Sequence, residues 1–271
     1  MGPSPLGTEL LGIARQAAAA AVELVHANRP DVLDVDDKSS ATDHVTHMDR
    51  ASEALIRSII ATHRPDDTVV GEEEGTETGA SGVTWWLDPI DGTTNYVYDH
   101  PGYAVSIAAA VGEGDDAHMV AGVVADPTHG RTYWAARGGG AFCDGRALHL
   151  GDHARPLPQM LVATGFGYDP SRRATQGAVV ARLLPRVRDI RRMGAAALDL
   201  CSVASGRVDA YYEAGLSAWD LAAGSLIAEE AGARLGAIEG GPARPGSVLA
   251  AHPSRFDEFR ALLLDCWAAG T

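Results

Sequence analysis

The run Trp85-Trp86-Leu87-Asp88-Pro89-Ile90-Asp91-Gly92-Thr93-Thr94-Asn95 concentrates more chemistry than any other part of the chain. Two carboxylates, a glycine turn and three consecutive hydroxyl or amide side chains follow an apolar segment. If Leu87 ends a buried strand, Asp88 and Asp91 can converge on one side of the turn, while Gly92, Thr93 and Thr94 expose backbone N–H groups. Hard cations such as Mg²⁺ take oxygen ligands of this kind, and phosphates take such amides. Turn chemistry alone explains Pro89, Gly92 and Asp91. It gives no reason for Asp88 directly after the strand, nor for the polar triplet, so the segment is read as a metal and phosphate site.

The elements that must position it follow from periodicity. Leu10, Leu11, Ala14, Ala17, Ala18, Ala21, Val22 and Val25 recur at helical spacing, which predicts an amphipathic helix over 8–28. A second helix is predicted from Thr46, where Thr46 and Asp49 have the spacing of a capping box, to a stop at Pro65. A short strand at 68–71 then delivers Glu72 and Glu73. From 85 to about 150 the pattern is of strands, at 85–87, 103–111, 119–124, 131–135 and 141–150, with a hairpin turn at Asp144-Gly145. Short strands with polar turns suggest an antiparallel sheet. Beyond Pro156 strands and helices alternate: strand 160–164, helix 172–184, strand 189–192, helix 195–205, strand 209–213, helix 219–231, a strand near Val248 and a helix over 254–266. The expected organisation is one compact unit of two halves, 1–155 and 156–271, with the site in the cleft between them.

At 271 residues and 46% apolar composition the chain can bury a substantial core. No apolar run reaches the ~18 to 20 residues of a membrane span. The Ala-rich start has Glu9 ahead of it, Arg15 against it and no basic leader, so it is read as a helix and the protein as cytoplasmic. Cys143, Cys201 and Cys266 match no C-x-x-C pattern, which fits a reducing compartment. A net charge of −14 argues against a nucleic-acid partner. Of the ten histidines only His44 and His47 stand close together, without a Cys or third His to complete a zinc site. Neither a P-loop nor a G-x-G-x-x-G motif occurs.

The string Asp88-Pro89-Ile90-Asp91-Gly92-Thr93-Thr94-Asn95 resembles the signature of the inositol monophosphatase family, metal-dependent phosphomonoesterases. Further matches run over nearly the whole chain. Lys38-Ser39-Ser40 with Asp49 is similar to the family's N-terminal element, and Gly71-Glu72-Glu73 to its glutamate pair. Trp219-Asp220-Leu221-Ala222-Ala223-Gly224 resembles the second signature, with Glu229, Ala231 and Gly232 in the helix after it. Arg192-Met193-Gly194-Ala195-Ala196-Ala197-Leu198 and Asp209-Ala210-Tyr211-Tyr212-Glu213 also match.

The resemblance implies an α/β fold, a layered α-β-α-β-α sandwich, usually dimeric. It further implies that Glu72, Asp88, Asp91, Asp220 and the carbonyl oxygen of Ile90 hold two or three Mg²⁺ ions. Such ions would neutralise phosphate charge, generate a nucleophile from water near neutral pH and stabilise the departing alkoxide. Glu72 and Thr93 would orient that water, making Glu72, Thr93, Asp91 and Asp220 the catalytic set. The amides of Gly92, Thr93 and Thr94 would receive phosphate oxygens. Glu213, with the Gly194 and Ala195 backbone, would bind substrate hydroxyls. Other readings stand beside these: Asp220 as a helix cap, Glu213 as an exposed strand-end acid, Glu73 as part of a solvated acidic turn, and Lys38 as either a loop anchor or a solvated lysine. Arg191 and Arg192 could approach a substrate phosphate, but they precede Gly194 on a strand edge, where a structural salt bridge is an equal reading, and they are left out of the site.

The expected activity is therefore Mg²⁺-dependent hydrolysis of a small phosphorylated polyol such as inositol monophosphate, with lithium inhibition. Histidinol phosphate, fructose bisphosphate and a 3'-phosphonucleotide remain open as substrates. Glu213 and the lack of a clear basic pocket favour inositol. A regulatory protein-binding role is the alternative from another class.

Overall fold

Ser4 starts the first helix: its hydroxyl accepts the Gly7 N–H at 2.9 Å, and Pro5 has no N–H to leave unpaired. In this computed structural model residues 2–30, 33–37, 44–112, 114, 117–152 and 154–268 are described. The expectation for Lys38, Ser39 and Ser40 lies outside them. Helix α1 (Pro5–Val22) continues into a π turn at Glu23–Ala27. By length and composition Pro5–Ala27 is apolar enough to cross a membrane. Its face of Leu10, Ile13, Ala14, Ala17, Ala18, Ala21 and Val25 is instead buried within the protein.

Strands β1 (Val35–Asp37) and β2 (His44–Thr46) pair with each other, and β2 leads into α2 (His47–His63). The predicted capping box is present: Thr46 Oγ1 accepts the Asp49 N–H, and Asp49 Oδ2 accepts the Thr46 N–H at 2.8 Å.

The first large sheet is built from β3 (Thr68–Gly71), β4 (Gly75–Glu77), β5 (Val83–Asp91), β6 (Ala104–Val111), β7 (His118–Asp126), β8 (Arg131–Ala136), β9 (Ala141–Cys143) and β10 (Arg146–Leu148), with the short helix α3 (Thr93–Val97) after β5. Its order is β10-β9-β8-β7-β6-β5-β3-β4. The pairing is antiparallel, as expected, except that β3 runs parallel to β5. The predicted strand 141–150 is two strands joined by Asp144 and Gly145 at φ 50° and 79°, the left-handed pair that a two-residue hairpin loop requires.

The second sheet comes from β11 (Leu161–Thr164), β12 (Asp189–Arg191), β13 (Ala210–Ala214), β14 (Arg234–Gly236) and β15 (Ser247–Ala251), in the order β12-β11-β13-β15-β14. Helices α4 (Pro170–Leu183), α5 (Ala196–Ala204), α6 (Ala218–Glu230) and α7 (Pro253–Ala268) alternate with these strands.

Five layers result, and strand alternation assigns each side chain to one interlayer core. On β6, Val105, Ile107 and Ala109 face α1 and α2, whereas Ala104 and Ala108 face α5 and α6. On β13 and β15, Tyr211, Val248 and Ala250 join that same central core, while Ala210, Tyr212, Leu249 and Ala251 pack with α4 and α7. The α5–α6 layer is thus shared by both sheets, and elements from both can meet along its edge.

Candidate active site

Strand β5 runs further than its apolar run suggests, through Asp91, because the pairing with β6 shifts register between Asp88 and Asp91. That irregularity lets Asp88 and Asp91 aim into one cavity instead of alternating faces. Asp88 Oδ1 accepts the Ile90 N–H at 3.1 Å, closing a small turn over Pro89. Gly92 follows at φ 93°, a left-handed conformation costly for a side-chain-bearing residue. A Cβ there would stand 3.0 Å from the Gly102 carbonyl oxygen and 3.1 Å from that of Gly194. Thr93 begins α3, and its hydroxyl lies 3.1 Å from both Asp49 Oδ1 and the Ile90 carbonyl oxygen. Asp49 in turn accepts the Thr46 hydroxyl at 2.6 Å on its other oxygen. A hydrogen-bonded line Thr46–Asp49–Thr93 therefore ends at the cavity, leaving Thr93 lone pairs to accept from a water.

The wall opposite the β5 turn comes from the second sheet and the central helices. Asp91 Oδ1 and Oδ2 accept the amides of Ala196 (3.2 Å) and Ala197 (2.7 Å) at the start of α5. Asp220 stands in the first turn of α6 and accepts the Ser217 N–H at 2.7 Å in a capping box. The cap role weighed from sequence is real, and Asp220 lines the cavity as well. Glu213, at the end of β13, is buried, not an exposed strand-end acid. It accepts the Tyr211 hydroxyl at 2.7 Å. Gly165 makes room for it, since a Cβ there would fall 1.9 Å from Glu213 Oε2. Asn95 Nδ2 donates to the Gly102 and Met193 carbonyls, each at 2.7 Å, tying the β5 turn to the strand–helix connection before α5.

A cavity of about 380 Å³ is lined by Glu72, Asp88, Ile90, Asp91, Gly92, Thr93, Gly194, Glu213 and Asp220 among others. Thr94 is not among its walls, and at the start of α5 the lining residues are Gly194 and Ala196; the Ala195 side chain is buried against Gly92. Glu73 is fixed differently: its N–H and that of Glu74 donate to the fully buried carboxylate of Glu53, at 2.8 and 3.1 Å. Arg191 pairs with Asp189, as expected for a structural arginine. Arg192 does line the cavity, together with Arg172, which corrects the expectation of no basic wall. Glu53 and Arg172 are residues sequence reasoning passed over, and it gave Asp49 no contact with Thr93. The capping-box spacing gave Asp49 a local role that hides its longer contact, and Glu53 carried no local signal beyond its i,i+4 spacing to Arg57.

Crowded carboxylates raise one another's pKa. Burial first, then the charges of Glu72, Asp91 and Asp220, push Asp88 well above the usual carboxylate range. Burial and Asp220 raise Asp91 against the opposing effect of the Ala197 amide. Asp220 is raised to about 7, chiefly by burial, against the opposing effect of the Ser217 amide. Glu213 is also pushed up to about 7 by burial, with Tyr211 and Arg192 opposing. Among the described residues no three His, Cys, Asp or Glu side chains form a closed metal cage. The donor set nevertheless fits a hard divalent cation: it is all oxygen, it includes a strand-end carbonyl at Ile90, and its mutual repulsion is what bound cations would relieve.

The fold and cleft define a layered α/β protein with an acid-lined cavity between two sheets. The family model of the inositol monophosphatase family matches residues 7–266, and the chain belongs to that family. "Inositol-1-monophosphatase SuhB" of Mycobacterium tuberculosis is 44% identical over 275 residues, covering 94% of this chain and 93% of that protein. "Nus factor SuhB" of Pasteurella multocida is 39% identical over 263 residues, covering 95% and 96%. Among solved structures, the extragenic suppressor protein suhB of Bartonella henselae superposes with a TM-score of 0.87 at 33% identity, covering 94% of this chain and 98% of that one.

Proposed function

We propose that the protein hydrolyses small phosphate monoesters of polyols in a Mg²⁺-dependent reaction, with inositol monophosphate as the reference substrate. The observation that carries this reading is the convergence of Glu72, Asp88, Asp91 and Asp220, from three separate segments, on the cavity that also holds Thr93 and Glu213. Membership of the inositol monophosphatase family and the name of the mycobacterial relative support it.

Glu72, Asp88, Asp91, Asp220 and the Ile90 carbonyl would hold the ions. Bound there, Mg²⁺ supplies charge neutralisation, water activation and leaving-group stabilisation. The chain's own residues do the rest. Glu72 and Thr93, the latter held by Asp49, accept hydrogen bonds from the attacking water and fix its direction. The backbone N–H groups at Gly92 and Thr93 receive phosphate oxygens. Asp220 would hold an ion on the leaving-group side, where it orients a water that can protonate the departing alkoxide. Glu213 accepts a hydroxyl of the alcohol.

Phosphate release from inositol 1-phosphate, histidinol phosphate, fructose 1,6-bisphosphate and a 3'-phosphonucleotide, with Mg²⁺ and after exhaustive chelation, tests the reading. Turnover that survives chelation overturns it; faster turnover of histidinol phosphate overturns only the polyol assignment. Lithium inhibition, a homodimer and a cytoplasmic location belong to the same proposal. The name of the Pasteurella relative favours a second reading, a regulatory protein-binding role. An Asp88→Asn variant that keeps the regulatory effect while losing hydrolysis would separate the two.

A further inference from the structure

We propose that Arg172 and Arg192 form a specificity wall for a second anionic group, a phosphate or carboxylate, on the alcohol half of the substrate. This rests on the phosphatase reading and narrows its substrate class.

Both side chains line the same cavity as the acids and Glu213. Three glycines make the room they occupy. A Cβ at Gly215 would stand 2.1 Å from Arg172 Nη1 and one at Gly167 3.0 Å from its Cδ, while a Cβ at Gly194 would stand 2.5 Å from Arg192 Nη1. Ion pairs hold many other arginines of this chain, Arg191 to Asp189 at 2.7 Å and Arg155 to Asp209 at 2.8 Å among them. Among the described residues neither Arg172 nor Arg192 has an acid within the 4.0 Å of an ion pair. Asp169 and Glu213 lie near enough to feel their charge. Helix stability does not explain Arg172 either, because a cation in the first turn of α4 faces the positive end of the helix dipole.

The scissile phosphate has its own machinery in the acid cluster and the Gly92–Thr93 backbone. A neutral polyol needs hydroxyl partners such as Glu213, but not two positive charges. Planar guanidiniums match carboxylate and phosphate oxygens with paired N–H donors. Their position on the wall that supplies Glu213 suits an alcohol carrying both hydroxyls and a further acidic group.

The test compares substrates differing by one anionic group, using the full chain with Mg²⁺: 2-phosphoglycerate against glycerol 2-phosphate, and inositol 1,4-bisphosphate against inositol 1-phosphate. In the wild type kcat/KM should favour the anion-bearing member by about tenfold, chiefly through KM, the scale of a charged hydrogen bond. The R172A/R192A double variant should bring that ratio to about one, and R192K on the R172A background should recover part of it. Both side chains are exposed, so melting temperatures should match the wild type. Preference in only one pair identifies the second group as carboxylate or phosphate. A ratio unchanged in the double variant, or no preference in either pair, overturns this inference while leaving the phosphatase reading intact. Failure of the wild type to hydrolyse any of the four overturns both.

Discussion

The Asp91 carboxylate accepts the amides of Ala196 and Ala197, 105 and 106 residues further along the chain, and so joins the end of β5 to the start of α5. One side chain acts both as a strut between the first sheet and the central helix layer and as a wall of the acid cavity.

Replacing it separates those roles. In Asp91→Asn the amide oxygen can still accept one of the two N–H groups, while its NH₂ opposes the other. We expect the variant to remain folded, with stability lowered by about 1–3 kcal/mol for the lost acceptor. Turnover should fall by at least about 100-fold, because charge needed at the reacting phosphate is removed. Circular dichroism melting and phosphate release on the same preparation check both; retained activity contradicts the ligand role.

The line Thr46–Asp49–Thr93 makes a graded prediction. Thr93→Ala removes the hydroxyl between Asp49 and the Ile90 carbonyl and should lower kcat on the order of 10²-fold, the scale of losing one group that positions a reactant. Thr93→Ser keeps the oxygen and should retain much of the rate. Equal losses in both variants would show that the methyl packing matters and the hydroxyl does not.

Much of this site was legible because its signals are local. Asp88 after an apolar strand, Gly92 at a turn, Thr46 three residues before Asp49, and Asp144 before Gly145 each declare themselves within a few positions, and each stands where backbone chemistry requires. The parallel pairing of β3 with β5 was not legible, since strand direction leaves no mark on a four-residue apolar run. The bond from Asp49 to Thr93 spans 44 residues. The convergence of Arg172 and Arg192 on the cavity that holds Glu213 likewise depends on two separate connections and on three glycines whose role is to lack a side chain. Such relationships are made by tertiary packing, and no periodicity records them.

Protonation gives a signed prediction for the chelated protein. Glu213 and Asp220 are raised to about 7, and Asp88 and Asp91 are raised too, so the folded state binds more protons than the unfolded one between about pH 4 and 7. Stability must then fall as pH rises through that window. Glu213 alone contributes on the order of 3 kcal/mol to this loss. Melting temperature in excess chelator should drop between pH 5 and 8. Millimolar Mg²⁺ should raise it much more at pH 8 than at pH 5, since cations and protons compete for the same oxygens. A Mg²⁺ effect independent of pH would place the ion elsewhere.

Glu53 supports Glu72 without touching the cavity. Its fully buried carboxylate accepts the Glu73 and Glu74 amides and the Arg57 Nε–H at 2.9 Å, and Gly71 must lack a Cβ because one would lie 2.0 Å from Glu53 Oε1. In Glu53→Gln a donor replaces one acceptor, leaving an amide or the guanidinium unmatched. We expect a loss of about 3 kcal/mol in stability, as for other broken buried ion pairs. The Mg²⁺ concentration for half-maximal activity should also rise by about 10-fold or more, the usual effect of losing a group that orients a ligand. Titrating activity and melting temperature with Mg²⁺ in parallel distinguishes the outcomes: a lower melting temperature with an unchanged Mg²⁺ requirement would make Glu53 a fold-stabilising residue that does not position Glu72.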